Sequence, residues 1–158
     1  MSSIARRIAM LGASDPHARL WISAVKANGG WVSKVEEVII DRFFKREKAW
    51  NIFDLTDDYL FLRLGNEIAA KTTLKRRVLI TAVNSPTFTP YVGFTLDGAT
   101  QYLNPLYTPS VNGVAYTAST RRIGAWMSNS PSAGAHGAYR ISSNYCRIIF
   151  SGTAISSS

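Results

Sequence analysis

The apolar positions of the chain change period partway along it. From residue 15 to about residue 77 they recur at helical intervals. From residue 78 onward they fall in short runs separated by turn residues. "SDPHARLWISAVKANGG" predicts a first helix, with Asp15 as N-cap, Pro16 at the first helical position and Gly29-Gly30 ending it. Ala18, Leu20, Ile22 and Val25 give that helix its apolar side. A second helix starts at a capping box, Ser33 to Glu36. Val32, Val35, Val38, Ile39 and Phe43 follow at helical spacing and read as its packing face. The two make a helical hairpin across the Gly-Gly turn. Beyond it, Trp50, Ile52, Phe53 and Leu55 are apolar, "YLFLRL" (59–64) fits a short strand or a helix start, and "NEIAAKTTLKR" (66–76) predicts a short helix.

The second stretch carries strand signals. "RVLITAV", "YVGFTL", "ATQYLN", "RIGAWMS" and "YCRIIF" alternate with "LDGA", "TPSVNG" and "SNSPSAGAHG", which is turn chemistry. Asp97-Gly98 is a hairpin candidate. The expected fold class is α+β: an N-terminal helical hairpin, then an antiparallel β-sandwich or jelly-roll-like domain. The expected organisation is an arm over residues 1–14, a helical attachment region over 15–77 and the β domain over 78–158.

Charge sharpens that division. Residues 1–77 hold 14 of the 18 Lys and Arg and 9 of the 10 Asp and Glu; only Arg121, Arg122, Arg140, Arg147 and Asp97 lie beyond. The formal net charge of +8 points to a polyanionic partner or an acidic protein surface. With 158 residues the chain can bury a substantial core, removing about two-thirds of its unfolded surface. A single cysteine, Cys146, rules out an intrachain disulfide. No apolar run reaches the ~20 residues of a membrane span. "MSSIARRIAMLGASD" lacks the apolar stretch of a signal peptide, so the expectation is a soluble protein made in a cytoplasm.

Candidate chemistry is sparse. Asp54, Asp57 and Asp58 cluster, but without the glycine and trailing glutamate of a calcium loop, and read as a cap or solvated turn. His17 and His136 stand alone, outside any zinc-ligand spacing. Cys146 sits in an apolar run with no base beside it and reads as structural. Phosphate-binding glycine loops and nucleophile elbows are absent. The sequence thus implies no enzyme, no catalytic residue, no metal and no cofactor. Two basic clusters, Arg6 with Arg7 and Lys75, Arg76 with Arg77, are attachment or anion-contact candidates. Nucleic acid is the least favoured partner, because the cations are scattered along the sequence. Phe88, Tyr91, Phe94, Tyr102, Tyr107 and Tyr116 fall in or beside turns. Most read as sheet core; Tyr91, Tyr102, Tyr107 and Tyr116 are the contact candidates for a sugar face or a protein interface.

"AVNSPTFTPYVGFTLDGATQYLNPLYTPSVNGVAYTASTRRIGAWMSN" resembles a segment of phage and prophage virion proteins. The matching positions are Asn84, Pro86, Thr87, Phe88, Gly93, Asp97, Gly98, Thr100, Tyr102, Asn112, Gly113, Tyr116 and Gly124. The likeness covers about residues 15–130, including the helix ending in Gly-Gly. Where the family pattern reads TGDGAT, this chain has TLDGAT, and its helical segment "RFFKREK" is unusually basic. The resemblance implies a non-enzymatic tail-fibre, head-fibre or other virion part with a concanavalin- or laminin-G-like jelly roll. It implies capsid, tail or baseplate proteins as partners and affinity for a host surface glycan, while the uncovered strand edges of a shortened sandwich lead to the expectation of a homo-oligomer. The chain stops after "YCRIIFSGTAISSS", where the pattern leads one to expect several more strands, so a shortened sandwich is expected.

Overall fold

The computed structural model describes residues 13–97, 99–115, 136–142 and 145–151. The order of elements is α1 (Pro16–Ala27), α2 (Lys34–Ala49), a 3-10 turn (Phe53–Leu55), α3 (Glu67–Lys71), β1 (Thr81–Val83), β2 (Thr87–Thr89), β3 (Gly93–Thr95), β4 (Tyr102–Asn104), α4 (Pro109–Asn112), β5 (His136–Ser142) and β6 (Tyr145–Ser151). The chain is α+β, and it divides into two compact units. One runs through Leu79 and takes in Phe88–Phe94; the other holds Ile80–Thr87 and the chain from Thr95 onward. No described helix is long and apolar enough to cross a membrane. Residues 1–12 of the predicted arm, with Arg6 and Arg7, the Gly98 of the predicted turn, the "RIGAWMS" strand and Tyr116 lie outside the described residues.

The helical unit begins as its local chemistry dictates. Asp15 caps α1 by accepting from the His17 N–H at 2.9 Å, with Pro16 just inside. Ser33 and Glu36 close the capping box of α2. Gly29 takes φ +81°, the left-handed conformation that ends a helix without a Cβ penalty. Gly30 is small for a different reason: a Cβ there would lie 2.7 Å from Asn66 Oδ1 and 2.9 Å from Ile68 Cβ. Asn66 in turn caps α3.

The core forms around Trp21, Ile22 and Val25 of α1, Ile40 and Phe44 of α2, and Leu64, Ala69, Ala70 and Leu74. The Trp21 indole N–H is satisfied inside it, donating to Thr72 O at 3.0 Å. Two sequence expectations change here. Leu20 points outward on α1, and Trp21 takes the buried position. On α2 the buried residues are Glu36, Glu37, Ile40, Asp41, Phe44 and Glu47, whereas Val35 and Ile39 are exposed. Val32 and Phe43 do pack against the core, but Val35 and Ile39 do not, so the buried face is rotated by about one residue from the predicted one. The carboxylates claim the inner face because that is where backbone donors await acceptors.

"YLFLRL" becomes neither strand nor helix. It runs without regular structure, and Tyr59 and Phe61 both set their rings edge-on to Phe43 at 4.8 Å. Its backbone is tied down from outside, with Leu74 N donating to Tyr59 O at 2.9 Å. The predicted helix over 66–76 ends at Lys71, since Thr72 bridges Leu79 and Thr73 N donates to Val78 O.

The β pairings differ from the simplest reading. β2 pairs with β3 across Pro90-Tyr91-Val92, a connection that uses φ 61° at Tyr91 and φ 112° at Gly93. β1 pairs antiparallel with β4, placing Val83 opposite Tyr102. β3 and β4 do not pair, so Asp97 is not in a hairpin turn. It organises a loop instead. Its Oδ1 accepts from the N–H groups of Ala99, Thr100 and Gln101 at 2.8–3.0 Å, and its Oδ2 from the Thr100 hydroxyl at 2.7 Å. Gln101 Nε2 then donates back to Asn84 O at 3.1 Å, fixing the loop beside β1. β5 and β6 form an antiparallel pair from His136 opposite Ser151 to Ser142 opposite Tyr145. Here β5 occupies residues whose start reads as turn chemistry in sequence.

Candidate functional site

The chemistry of the helical unit lies in how its charges are sorted between inside and outside. Glu36 Oε1 accepts the Gly65 N–H at 2.6 Å while Oε2 holds the Ser33 hydroxyl and N–H. Asp41 Oδ1 accepts the N–H groups of Ser14 and Asp15 at 2.7 and 2.6 Å, and its Oδ2 pairs with Lys45 at 2.6 Å. Glu47 accepts the Tyr59 phenol at 2.6 Å. Asp15 pairs with Lys48 at 2.7 Å, and Glu37 with Lys34 at 2.7 Å. These five acids are all buried. A buried carboxylate persists only with such partners, so each is committed to holding the fold.

The protonation equilibria follow the same geometry. Burial alone would raise the Asp15 carboxyl, but Lys48 and the His17 N–H outweigh it and hold it below the usual range. For Asp41, burial is likewise outweighed by the Asp15 N–H, Lys45 and the Ser14 N–H. His17 is pushed down, first by burial and then by the Lys48 ammonium 3.0 Å from its Nδ1. The Tyr59 phenol is pushed up to about 12, by burial and by its bond to Glu47.

With the acids of α2 and the Asp15 cap turned inward, the outer faces of α1 and α2 are left to cations; the exposed acids Asp54 and Glu67 lie on other segments. Arg19, Lys26, Arg42, Arg46 and Arg63 are exposed and form no ion pair with an acid among the described residues. Two of them join an apolar stripe. Val35, Ile39, Arg42 and Arg46 follow each other by four, three and four residues, which stacks them along one side of α2. That side is opposite the buried Ile40 and Phe44. Val35 is 55% exposed and Ile39 51%, where a solvated helix face is ordinarily polar. An exposed tryptophan stands at each end, Trp31 before the helix and Trp50 at its C-cap. The Arg46 guanidinium lies over the Trp50 ring, 4.9 Å from its centre. From Val35 to Trp50 the stripe runs about 22 Å at the helical rise. Near its first end, Trp31 and Tyr91 converge over Gly65: a Cβ there would meet Tyr91 Oη at 2.5 Å and Trp31 Cη2 at 3.1 Å.

The residues singled out from sequence are distributed differently. Lys75 turns inward: its ammonium donates to Phe53 O at 2.5 Å and to Thr56 O, and sits 4.1 Å over the Phe53 ring. Arg76 Nε pairs with Asp58 at 2.7 Å. Arg77 is half-buried at φ 60°. The "LKRR" motif thus closes the 53–59 segment through two of its three cations. Asp58 Oδ1 also accepts the N–H groups of Lys75 and Tyr59 at 2.9 Å, so this aspartate acts as a turn anchor. Tyr91 is exposed in the helical unit; Tyr102 on β4 and Tyr107 are half-buried in the other unit. Cys146 is the register partner of Ile141 in the β5–β6 pair. Among the described residues, no group of three or more His, Cys, Asp or Glu could hold a metal ion.

Sequence reasoning missed Trp31, Arg42, Arg46 and Trp50. The one signal in the sequence is ambiguous: Ile40 and Phe44 lie well round the helix from Val35 and Ile39, a surface helix can bury only one of the two pairs, and the pattern alone does not say which. No protein-family model, no curated protein and no solved structure matches the chain.

Proposed function

We propose that this protein is a non-enzymatic structural subunit of a tailed phage or phage-like particle. It acts as a fibre, spike or decoration component that docks through its basic helical half onto capsid, tail or baseplate proteins, and it resides in the virion. What supports this is the sorting of charge in the helical unit: five buried acids inside, unpaired cations and exposed apolar side chains outside. Such a surface suits attachment to an acidic protein shell. The resemblance of about residues 15–130, read from sequence, to phage and prophage virion proteins points the same way. The β half is then the outward or oligomerising part, a jelly-roll-like sandwich whose short strands leave edges that a symmetric homo-oligomer covers.

The test is recovery of the chain in particles. Particles released from cells that encode it, banded on a density gradient, should contain the protein in fixed ratio to the major shell protein. A stable monomer that stays in the soluble fraction while particles band without it would end the proposal.

One observation favours a second reading, a glycan-binding module for host recognition. The exposed Tyr91 ring lies beside Trp31, and paired rings of this kind stack on sugar faces. A glycan array with a hit that Tyr91→Ala abolishes would support it. A blank array, or binding unchanged by Tyr91→Ala, Tyr102→Ala and Tyr107→Ala, would count against it.

A further inference from the structure

Resting on the attachment reading above, we infer that the outer stripe of α2 is the docking surface itself, and that its occupant is an acidic amphipathic helix of another protein. Three features fix the chemistry of the occupant. Val35 and Ile39 offer an exposed apolar seat one helical turn long. Arg42 and Arg46 continue the same line and need carboxylates, which their own helix does not present because Glu36, Glu37, Asp41 and Glu47 face inward. Trp50, under the Arg46 guanidinium, closes the far end. A helix with apolar side chains at one end and acids at the other complements this line over about 22 Å.

Other occupants match less of it. Nucleic acid could use the two arginines, but its phosphates have no use for Val35 and Ile39. A second copy of this chain would seat its own stripe against the apolar end. Stripe against stripe, it would still bring no carboxylate to the arginines, because the acids of its own α2 are turned inward and its exposed Asp54 and Glu67 lie on other segments. The acids that could have neutralised the surface are each held by a backbone N–H, a phenol or a lysine. The charge complementarity is therefore built into the fold and does not depend on side-chain rearrangement.

The experiment uses the full chain and a fluorophore-labelled synthetic helix of about 15 residues, long enough to span the stripe. It carries leucines at helical spacing in one half and glutamates in the other. A counterpart with lysines in place of the glutamates is the control. Fluorescence anisotropy should show the acidic peptide binding and the basic one not, with affinity falling as salt rises. Arg42→Glu and Arg46→Glu should each weaken binding by about tenfold or more. Ile39→Ser should weaken it similarly, and Lys26→Glu on α1, the same change in net charge away from the stripe, should leave it intact. All four positions are exposed, and far-UV circular dichroism confirms that the variants fold.

Equal binding of both peptides, an equal loss in Lys26→Glu, or no effect of Ile39→Ser would overturn the inference. So would a concentration-dependent dimer abolished by Ile39→Ser, which would make the occupant a second copy. A single-stranded oligonucleotide that binds in place of the acidic peptide would overturn it too. If the peptide experiment fails while the chain still bands with particles, the surface is wrong and the virion reading stands. If the peptide binds and no particle contains the chain, the virion reading is wrong and the surface stands.

Discussion

A buried carboxylate in this protein is a fastener for backbone donors, and its titration should be visible in stability. The folded Asp15 and Asp41 carboxyls lie below their ordinary values. The unfolded chain therefore binds protons more readily than the folded one across the acid range, and stability present at neutral pH is lost as pH falls. The His17 shift has the same sign, because its imidazole is kept neutral by burial and by Lys48. Its loss comes first, as pH drops through the ordinary histidine value of about 6.5. Thermal unfolding followed by circular dichroism should show the melting temperature falling below neutrality and falling further in the carboxylate range. His17→Gln should flatten the first step and Asp41→Asn the second; profiles parallel to wild type would contradict the assignment. Trp21→Phe should cost about 1–3 kcal/mol in urea unfolding, since Thr72 O is left buried without its donor. The two turn glycines should separate by mechanism. Gly29→Ala should cost about 1 kcal/mol for its left-handed backbone in open space. Gly30→Ala should cost about 1–3 kcal/mol through collision with Ile68 and the Asn66 cap.

At the scale of elements, what could be read from the sequence was what local chemistry determines. Asp15-Pro16, the Ser33–Glu36 box and the Gly29 stop specify both ends of α1 and the start of α2 without tertiary help. The phase of α2 was not legible, because its inner face is largely acidic. Hydrophobicity counts assign such a face to solvent, yet the Gly65, Ser14 and Asp15 N–H groups make it the inner one. The same limit hid the outer stripe of α2, which is apolar at Val35 and Ile39 where apolarity reads as core. Strand pairing was equally opaque. The Asp97-Gly98 dipeptide has turn chemistry in sequence, but the Asp97 carboxylate closes a loop beside β1 through Gln101. That carboxyl is held far below the usual range, chiefly by the Gln101 N–H, and should stay ionised in mild acid. Asp97→Ala should speed amide exchange at Ala99, Thr100 and Gln101 and leave α1 and α2 protected. Unchanged exchange in the loop would show that the carboxylate does not hold it.

At the scale of the whole molecule, the division of labour is between a helical unit that sorts its charges and a nearly uncharged β half. The net charge of +8 understates what a partner meets on the helices, since so many of the compensating acids are inside. Composition alone made nucleic acid and an acidic protein equivalent partners. The apolar end of the α2 stripe is what separates them, because a protein helix can use it and a phosphate chain cannot. The most direct measurement is zero-length carbodiimide cross-linking of purified particles, followed by mass spectrometry. Lys34 and Lys45 are exposed on α2 beside the stripe, and their amines can be captured by carboxylates that dock there. Cross-links are expected from Lys34 or Lys45 to Asp or Glu in a helix of another particle protein, and they should be lost in particles carrying Arg42→Glu with Ile39→Ser. Particles that contain the chain but join it to other proteins only through residues beyond Ile80, with α2 uncoupled, would contradict it.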